Sequence, residues 1–249
     1  MKPDLVADVG NSRIKWGRCR GDRVVDAVSL PADDPQAWQD QMQLWNLAAA
    51  SVWSVAGVHP TRRDRLAEWL REQGNHVQVL SSCQQLPLRL SVEHPEKVGI
   101  DRLLNAVAVS SRVRRGVAAV IVDAGSAVTV DWLDESGAFA GGAIFPGIQL
   151  MARALHDYTA LLPLVKIEQS TPSLPGTTTV AAIEAGVFWA AAGGIQALVG
   201  RLAAGAPVAA EVYLTGGDGP LLAKALNQDV HLWPNMTLEG IRIAAEIQP

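Results

Sequence analysis

A shift of 115 positions lays the second half of this chain on its first. Leu5-Val6-Ala7-Asp8-Val9-Gly10-Asn11-Ser12 is a short apolar run that reaches an Asp and then a Gly-polar turn. Residues 13–18 alternate as a strand does, Arg20-Gly21-Asp22 makes a turn, and residues 24–30 supply a third strand. Val120-Ile121-Val122-Asp123-Ala124-Gly125-Ser126 repeats the run, the Asp and the turn. Residues 127–133 repeat the second strand and, past Glu135-Ser136-Gly137, residues 138–144 repeat the third. Asp8 falls on Asp123 and Gly10 on Gly125 without a gap. The pattern predicts two copies of a β-meander, each opening with an Asp-x-Gly hairpin.

Helical and α/β material follows each copy. Residues 61–72 place Leu66, Trp69 and Leu70 on one helical face, residues 76–80 read as a returning strand, and residues 101–113 carry Leu104, Val107 and Ala108 at helical spacing. In the second half, residues 180–204 predict an Ala-rich helix interrupted at Gly193-Gly194. Residues 211–214 form a short strand that ends in Thr215-Gly216-Gly217-Asp218-Gly219-Pro220, and helices follow over 221–226 and 238–246. The fold class is α/β, with two related domains, 1–115 and 116–249, dividing near Gly116. With no low-complexity linker between them, they are expected to pack across a cleft.

Composition removes several functions. Of 249 residues, 49% are hydrophobic and 18% charged, the profile of a compact globular chain. A net charge of −4, with no basic run beyond the short cluster at residues 112–115, argues against nucleic acid as a partner. Cys19 and Cys83 lie far apart in no metal-like spacing, which points to a reducing cytoplasm rather than a disulfide framework. No uninterrupted apolar run approaches membrane-spanning length, so no membrane partner is expected. The histidines never fall at paired ligand spacing, which excludes a zinc site of the usual kind.

The chemistry then rests on three places. A glycine turn between strands presents backbone N–H groups to phosphate oxygens because no Cβ blocks the approach. An Asp at the end of the preceding strand suits a hydrated Mg²⁺, which touches one or two carboxylates besides substrate phosphates. Lys15 is placed for its ammonium to reach a β- or γ-phosphate. A single Asp-x-Gly is an ordinary hairpin; two in register resemble the ATPases of the actin, hexokinase and Hsp70 superfamily, a likeness of fold that does not choose a reaction. Thr215-Gly216-Gly217 is either a flat backbone for an adenine or a plain strand-to-helix turn. Gly99-Ile100-Asp101-Arg102 opens an apolar helix, where an Asp is most simply a cap or a partner of the helix dipole.

Taken together these pieces resemble the type III pantothenate kinase family over nearly the whole chain. The matching stretches are Asp8-Val9-Gly10-Asn11-Ser12 with Lys15, Pro95-Glu96-Lys97-Val98-Gly99-Ile100-Asp101-Arg102, and Asp123-Ala124-Gly125-Ser126-Ala127-Val128-Thr129. Gly141-Gly142-Ala143-Ile144-Phe145-Pro146-Gly147, Leu162-Pro163, Thr179 with Ala182-Ile183 and Gly186, and Thr215-Gly216-Gly217 complete the set. The resemblance implies two ribonuclease H-like domains of the actin-like ATPase type and a kinase that phosphorylates pantothenate with ATP. It implies ATP binding by Asp8, Val9, Gly10, Asn11, Ser12, Arg13, Ile14, Lys15, Ser126, Gly216 and Gly217, with Mg²⁺ at Asp8. It implies pantothenate binding by Val92, Gly99, Ile100, Asp101, Arg102 and Thr179, Asp101 as general base, and a monovalent cation (K⁺ or NH₄⁺) at Asp123. Members of the family are homodimers in which the second subunit completes the pantothenate site. Val92 stands where they usually carry a Tyr. Two other readings stay open on residues alone: a nucleotide-binding regulator without turnover, and an ATPase or polyphosphate hydrolase of the same superfamily.

Overall fold

The computed structural model describes residues 2–168, 171–226 and 229–247. The chain divides into two compact units, one of residues 1–112 with 235–249 and one of residues 113–234.

The first unit is built on a sheet of order β3-β2-β1-β4-β5. Strands β1 (Leu5–Val9), β2 (Arg13–Arg20) and β3 (Arg23–Pro31) form the expected antiparallel meander, and β4 (Val52–Gly57) and β5 (His76–Leu80) run parallel to β1. Helix α1 (Pro35–Leu44) starts at an Asp34 cap whose carboxylate accepts the Gln36 and Ala37 N–H groups, and α2 (Pro60–Glu72) starts at His59. Alternation along the strands sorts the side chains. Leu5, Ala7 and Val9, with Ile14 and Trp16, pack against Trp38, Leu66 and Leu70. Four tryptophans pair in this core: Trp16 and Trp53 meet edge to face at 4.9 Å, and Trp38 meets Trp69 at 5.4 Å. The opposite face carries Val6, Asp8, Lys15 and Gly17. A two-residue strand β6 (Arg89–Leu90) and helix α3 (Ile100–Ser110) follow in the chain.

The last helix, α7 (Met236–Ile247), departs from the expected grouping with the second half. Its apolar residues Leu238, Ile241, Ala244 and Ala245 are buried in the first unit, where α7 packs along α3 and over β1. Leu238 covers Gly17, since a Cβ on Gly17 would lie 3.1 Å from the leucine Cδ1. Periodicity predicts that such a helix has an apolar face but not which sheet receives it.

The second unit repeats the plan. Strands β7 (Ala119–Ala124), β8 (Ala127–Leu133) and β9 (Ala138–Pro146) form the second meander, and β10 (Glu211–Thr215) and β11 (Val230–Leu232) extend it in the order β11-β10-β7-β8-β9. Helices α4 (Ile148–Asp157), α5 (Thr179–Ala203) and α6 (Gly219–Ala223) accompany it. Val120, Val122, Val128 and Val130 pack against Ile183, Phe188 and Ile195 of α5. Helix α5 runs without a break through Gly193-Gly194, against the sequence expectation. Each glycine costs about 1 kcal/mol in a helix interior, and burial of Phe188, Ala191, Ala192 and Ile195 on either side offsets it. Gly194 also lets the Phe145 ring approach, a Cβ there lying 3.6 Å from it. Alone among the described helices, α5 is long and apolar enough to cross a membrane, but much of it is buried in this core.

Two glycines test this packing. A Cβ on Gly240 of α7 would lie 1.9 Å from the Leu104 carbonyl oxygen of α3. Gly240→Ala is expected to destabilise by about 2–4 kcal/mol, as overpacking against rigid backbone does. Gly200 of α5 meets nothing within 4 Å, and Gly200→Ala is expected to stabilise by about 0.5–1 kcal/mol. Urea denaturation of both variants measures the contrast.

Candidate active site

In the first unit, Asp8 on β1 stands directly opposite Lys15 on β2, and both side chains are half-buried. Gly10, Asn11, Ser12 and Arg13 join the paired residues Val9 and Ile14, and the Gly10 N–H closes the turn on the Arg13 carbonyl at 3.0 Å. A Cβ on Gly10 would lie 3.2 Å from that carbonyl oxygen, so glycine keeps the turn tight. Val9 and Ile14 point into the apolar core, which leaves only their backbone for a ligand.

Helix α3 begins at the same edge of the sheet. A Cβ on Gly99 would lie 3.8 Å from Val58 Cγ1, and Val58 follows Gly57, the partner of Val9 at the end of β1. Gly99 caps α3 without a side-chain hydrogen bond, Ile100 is buried, and Asp101 is in the first turn. The Arg102 N–H donates to Asp101 Oδ1 at 2.8 Å. Burial raises the Asp101 carboxyl above its ordinary range, against the Arg102 N–H and guanidinium, which pull it down. Asp101 therefore does not cap the helix: Gly99 holds the cap position. A Cβ on Gly99 would sit 2.6 Å from Asp101 Oδ1, so the glycine leaves the space that the carboxylate fills. Val92 lies half-buried between β6 and the 3₁₀ turn at Pro95–Lys97.

In the second unit, Asp123 on β7 stands opposite Thr129 on β8. The turn is one residue shorter than in the first: Gly125, Ser126 and Ala127 join the paired residues Ala124 and Val128. The Gly125 N–H closes it on the Ala127 carbonyl at 3.1 Å. Ser126 is exposed at the tip. Thr129 Oγ1 is buried without a hydrogen-bond partner among the described residues. On the other side of β7, Asp123 pairs with Thr215 of β10. The turn after β10 lies against β7: Gly216 has φ +94, a Cβ on it would be 2.3 Å from the Ala124 oxygen, and the Asp218 N–H donates to that oxygen at 2.9 Å. Burial pushes the Asp218 carboxyl up. The unit thus brings Asp123, Ser126, Gly216 and Gly217 to one edge of its sheet, as the first unit does with its hairpin and α3.

Thr179 sits apart from that edge, at the start of α5. It lines an apolar groove of about 710 Å³ between α4 and α5 with Leu150, Leu155, Leu162 and Ile183. Sequence reasoning passed over Thr129 as a site residue and over this groove. For Thr129 the signal was the six-residue spacing from Asp123 around a tight hairpin, which sets the two side chains on one face.

The family model for type III pantothenate kinases matches residues 4–201. The chain belongs to the type III pantothenate kinase family. The Moorella thermoacetica type III pantothenate kinase is 35% identical over 252 residues, covering 97% of this chain and 98% of the relative. That of Persephonella marina is 30% identical, with 95% and 96% covered. Among solved structures, a Sinorhizobium meliloti protein described as a 2-dehydro-3-deoxygalactonokinase superposes with a TM-score of 0.60 at 12% identity, covering 97% of this chain and 98% of that one. Component A of the (R)-2-hydroxyglutaryl-CoA dehydratase of Acidaminococcus fermentans gives 0.52 at 14% identity, with 97% and 95% covered. These likenesses carry the fold, the two-domain α/β architecture of the actin and hexokinase ATPases, as the repeated hairpins predicted.

The space beside Gly99 is open to a direct test. Gly99→Ala is expected to turn the Asp101 carboxylate away from its buried position toward water, and its pKa then falls toward the ordinary carboxylate value because burial is the largest cause of the rise. Carboxyl-carbon NMR titration follows that group. An unchanged titration would show that the carboxylate keeps its place without the glycine.

Proposed function

We infer that the protein transfers the γ-phosphoryl group of ATP to the primary hydroxyl of pantothenate, giving 4′-phosphopantothenate and ADP, the first step of coenzyme A biosynthesis. Membership of the family, over nearly the full length of relatives bearing that name, supports the reaction. Use of ATP with a divalent metal goes with it. The observation that carries the assignment of the base is Asp101, a carboxyl raised by burial at the same sheet edge as the Asp8 hairpin.

In this reading the substrate hydroxyl approaches the γ-phosphorus, the new O–P bond forms as the bond to the ADP oxygen breaks, and the hydroxyl proton passes to the Asp101 carboxylate. Phosphoryl transfer asks the protein mainly for positioning and charge neutralisation. The hairpin residues Asp8, Val9, Gly10, Asn11, Ser12, Arg13, Ile14 and Lys15 hold the ATP phosphates, with Val9 and Ile14 contributing backbone alone. Ser126 holds ATP from the second hairpin, and the flat backbone at Gly216 and Gly217 takes the adenine. Gly99, Ile100, Arg102 and Val92 line the pantothenate site, with Thr179 supplied to it by the second subunit, and the planar fork of Arg102 suits the substrate's carboxylate.

Two cations fit the residues present. Among the described residues no cluster of three metal-ligating side chains occurs, and Mg²⁺ on a nucleotide needs only one or two protein carboxylates, which Asp8 supplies. A monovalent cation fits beside Asp123, where the buried and unpartnered Thr129 hydroxyl offers a second oxygen. Bound there, these ions would neutralise charge on the phosphates. The protein is a homodimer in this reading. The groove between α4 and α5 and the exposed Leu150, Tyr158, Leu161 and Leu164 near it form an apolar surface that a second copy would cover. Its two free cysteines suit the cytoplasm.

Asp101→Asn tests the base. The expected loss is about 10²–10⁴-fold in kcat with the KM for ATP little changed. A carboxyl whose folded pKa is raised favours the folded state below its unfolded pKa, and that contribution is lost as pH rises through the folded value. Above both values the ionised Asp101 is therefore a cost, and there the Asn variant should melt no lower than the parent. Near-normal turnover, or a large fall in melting temperature, would make Asp101 structural. For the dimer, Leu150→Asp is expected to halve the mass seen by sedimentation and to raise the KM for pantothenate; a protein that sediments as a monomer before mutation refutes it.

A further inference from the structure

The tip of the Asp8 hairpin is held from outside by an arginine that the reaction described above does not use. Arg62, in the first turn of α2, donates from Nη1 to the Asn11 carbonyl at 2.5 Å. The other edge of the same guanidinium is fixed. Nε donates to Asp33 Oδ1 at 3.2 Å and Nη2 to Asp33 Oδ2 at 2.6 Å, a two-pronged pair with the residue between β3 and the α1 cap. Arg65 adds a second cation 3.6 Å from Asp33. The hydrogen bond from Arg62 is the first cause that holds the Asp33 carboxyl below its ordinary range, so the clamp stays charged through neutral pH.

The consequence follows from the geometry of a peptide. The Asn11–Ser12 bond is trans, because the one cis bond among the described residues is elsewhere. In a planar trans peptide the C=O and the following N–H point in opposite directions. Drawing the Asn11 carbonyl onto Arg62 therefore turns the Ser12 N–H to the far side of the turn. The turn that carries this peptide is exposed at Asn11, Ser12 and Arg13, and the Arg62 guanidinium holds its Asn11 carbonyl. A flipped peptide would present a carbonyl oxygen where a donor is needed, and carbonyl and phosphate oxygens repel.

We propose that Arg62 is a positioning residue for the phosphate hairpin, one that acts through the Asn11 carbonyl and fixes the direction of the Ser12 N–H toward the ATP phosphates. The proposal rests on the reading that the hairpin binds those phosphates. It differs from simple attraction between a cation and ATP. Attraction needs only the charge of residue 62, whereas the clamp needs three donors spread over a rigid fork, which lysine lacks.

The experiment uses the full-length protein with ATP, pantothenate and Mg²⁺, reading both KM values, kcat and the melting temperature, with ADP binding by calorimetry. Arg62→Lys and Arg62→Gln are each expected to weaken ATP and ADP about tenfold or more, the size of one charge-assisted hydrogen bond, with the KM for pantothenate and the melting temperature held. Asp33→Asn, which touches neither the turn nor the nucleotide, should shift the KM for ATP in the same direction. Arg65→Gln removes an equal charge without the carbonyl contact, and its KM for ATP should stay within about twofold of the parent, as a solvated surface charge does. Normal ATP affinity in Arg62→Lys, or an equal loss in Arg65→Gln, would overturn the clamp in favour of plain electrostatics. Lys15→Met separates the two layers. If it weakens ATP while Arg62→Lys does not, the clamp alone fails; if it leaves ATP untouched, the hairpin reading fails and takes the clamp with it.

Discussion

The position of Asp101 depends on a contact between two helices that the whole second unit separates in the chain. Helix α3 has no side-chain cap at Gly99, and α7 braces it along its length. Gly240 lets the two backbones meet at the Leu104 carbonyl, and Thr237 Oγ1 donates to Asn105 Oδ1 at 2.8 Å between two buried side chains. Asn105 lies one helical turn beyond Asp101. Helix α7 is in turn tied to the meander. Glu239 accepts the Val24 N–H at 2.8 Å and pairs with Arg242 at 2.8 Å, with both side chains almost fully buried. Burial alone would lower the Arg242 pKa, and the hydrogen bonds and charges of Glu239 and Glu246 together outweigh it. A buried pair of this kind repays its desolvation only where further hydrogen bonds satisfy it, and here Val24 and Glu246 supply them. The end of the chain thus holds the proposed base in place without approaching it.

The two meanders share a fold but set different residues opposite their Asp, and their turns differ in length by one residue. Four residues turn the first hairpin and three turn the second, so the carboxylates at equivalent places face different partners. Asp8 faces Lys15, and a carboxylate beside an ammonium suits a phosphate with its divalent metal. Asp123 faces Thr129, and a carboxylate beside a buried hydroxyl offers only oxygen, which suits a bare cation. A lysine opposite Asp123 would repel that cation. The repeat carries two Asp-x-Gly turns, and the length of each turn sets which residue its Asp faces.

The parts that were legible in sequence are those that local pattern governs. Each meander, and the place of Asp8, Lys15 and Asp123 on it, follows from alternation and turn residues local to that meander, and the repeat from laying one meander on the other. The rest is decided by contacts far apart in the chain. The break expected in α5 at Gly193-Gly194 rested on intrinsic propensity, and tertiary packing overrides propensity when both flanks are buried. The docking of α7 on the first unit rests on one missing Cβ at Gly240 and one hydrogen bond spanning 132 positions. Arg62 reads as one arginine among several at the start of α2, and only the fold brings it to Asn11.

The carboxyl at Asp101 shows why burial and reactivity belong together in this unit. A fully solvated carboxylate is a weak base for an alcohol, and a fully buried one would hold its proton at neutral pH. Here burial raises the pKa, which would make Asp101 a stronger base in the proposed role, while the Arg102 N–H and guanidinium restrain the rise. The first turn of α3 adds the positive end of a helix dipole, which also favours the ionised form. Gly99 permits the combination, because any Cβ there would displace the carboxylate from its buried place. A side-chain cap at position 99 would have steadied the helix end, and it would have occupied the space the base needs. The unit instead braces α3 from its far side through Thr237 and Gly240, which leaves the front of the helix to the carboxylate.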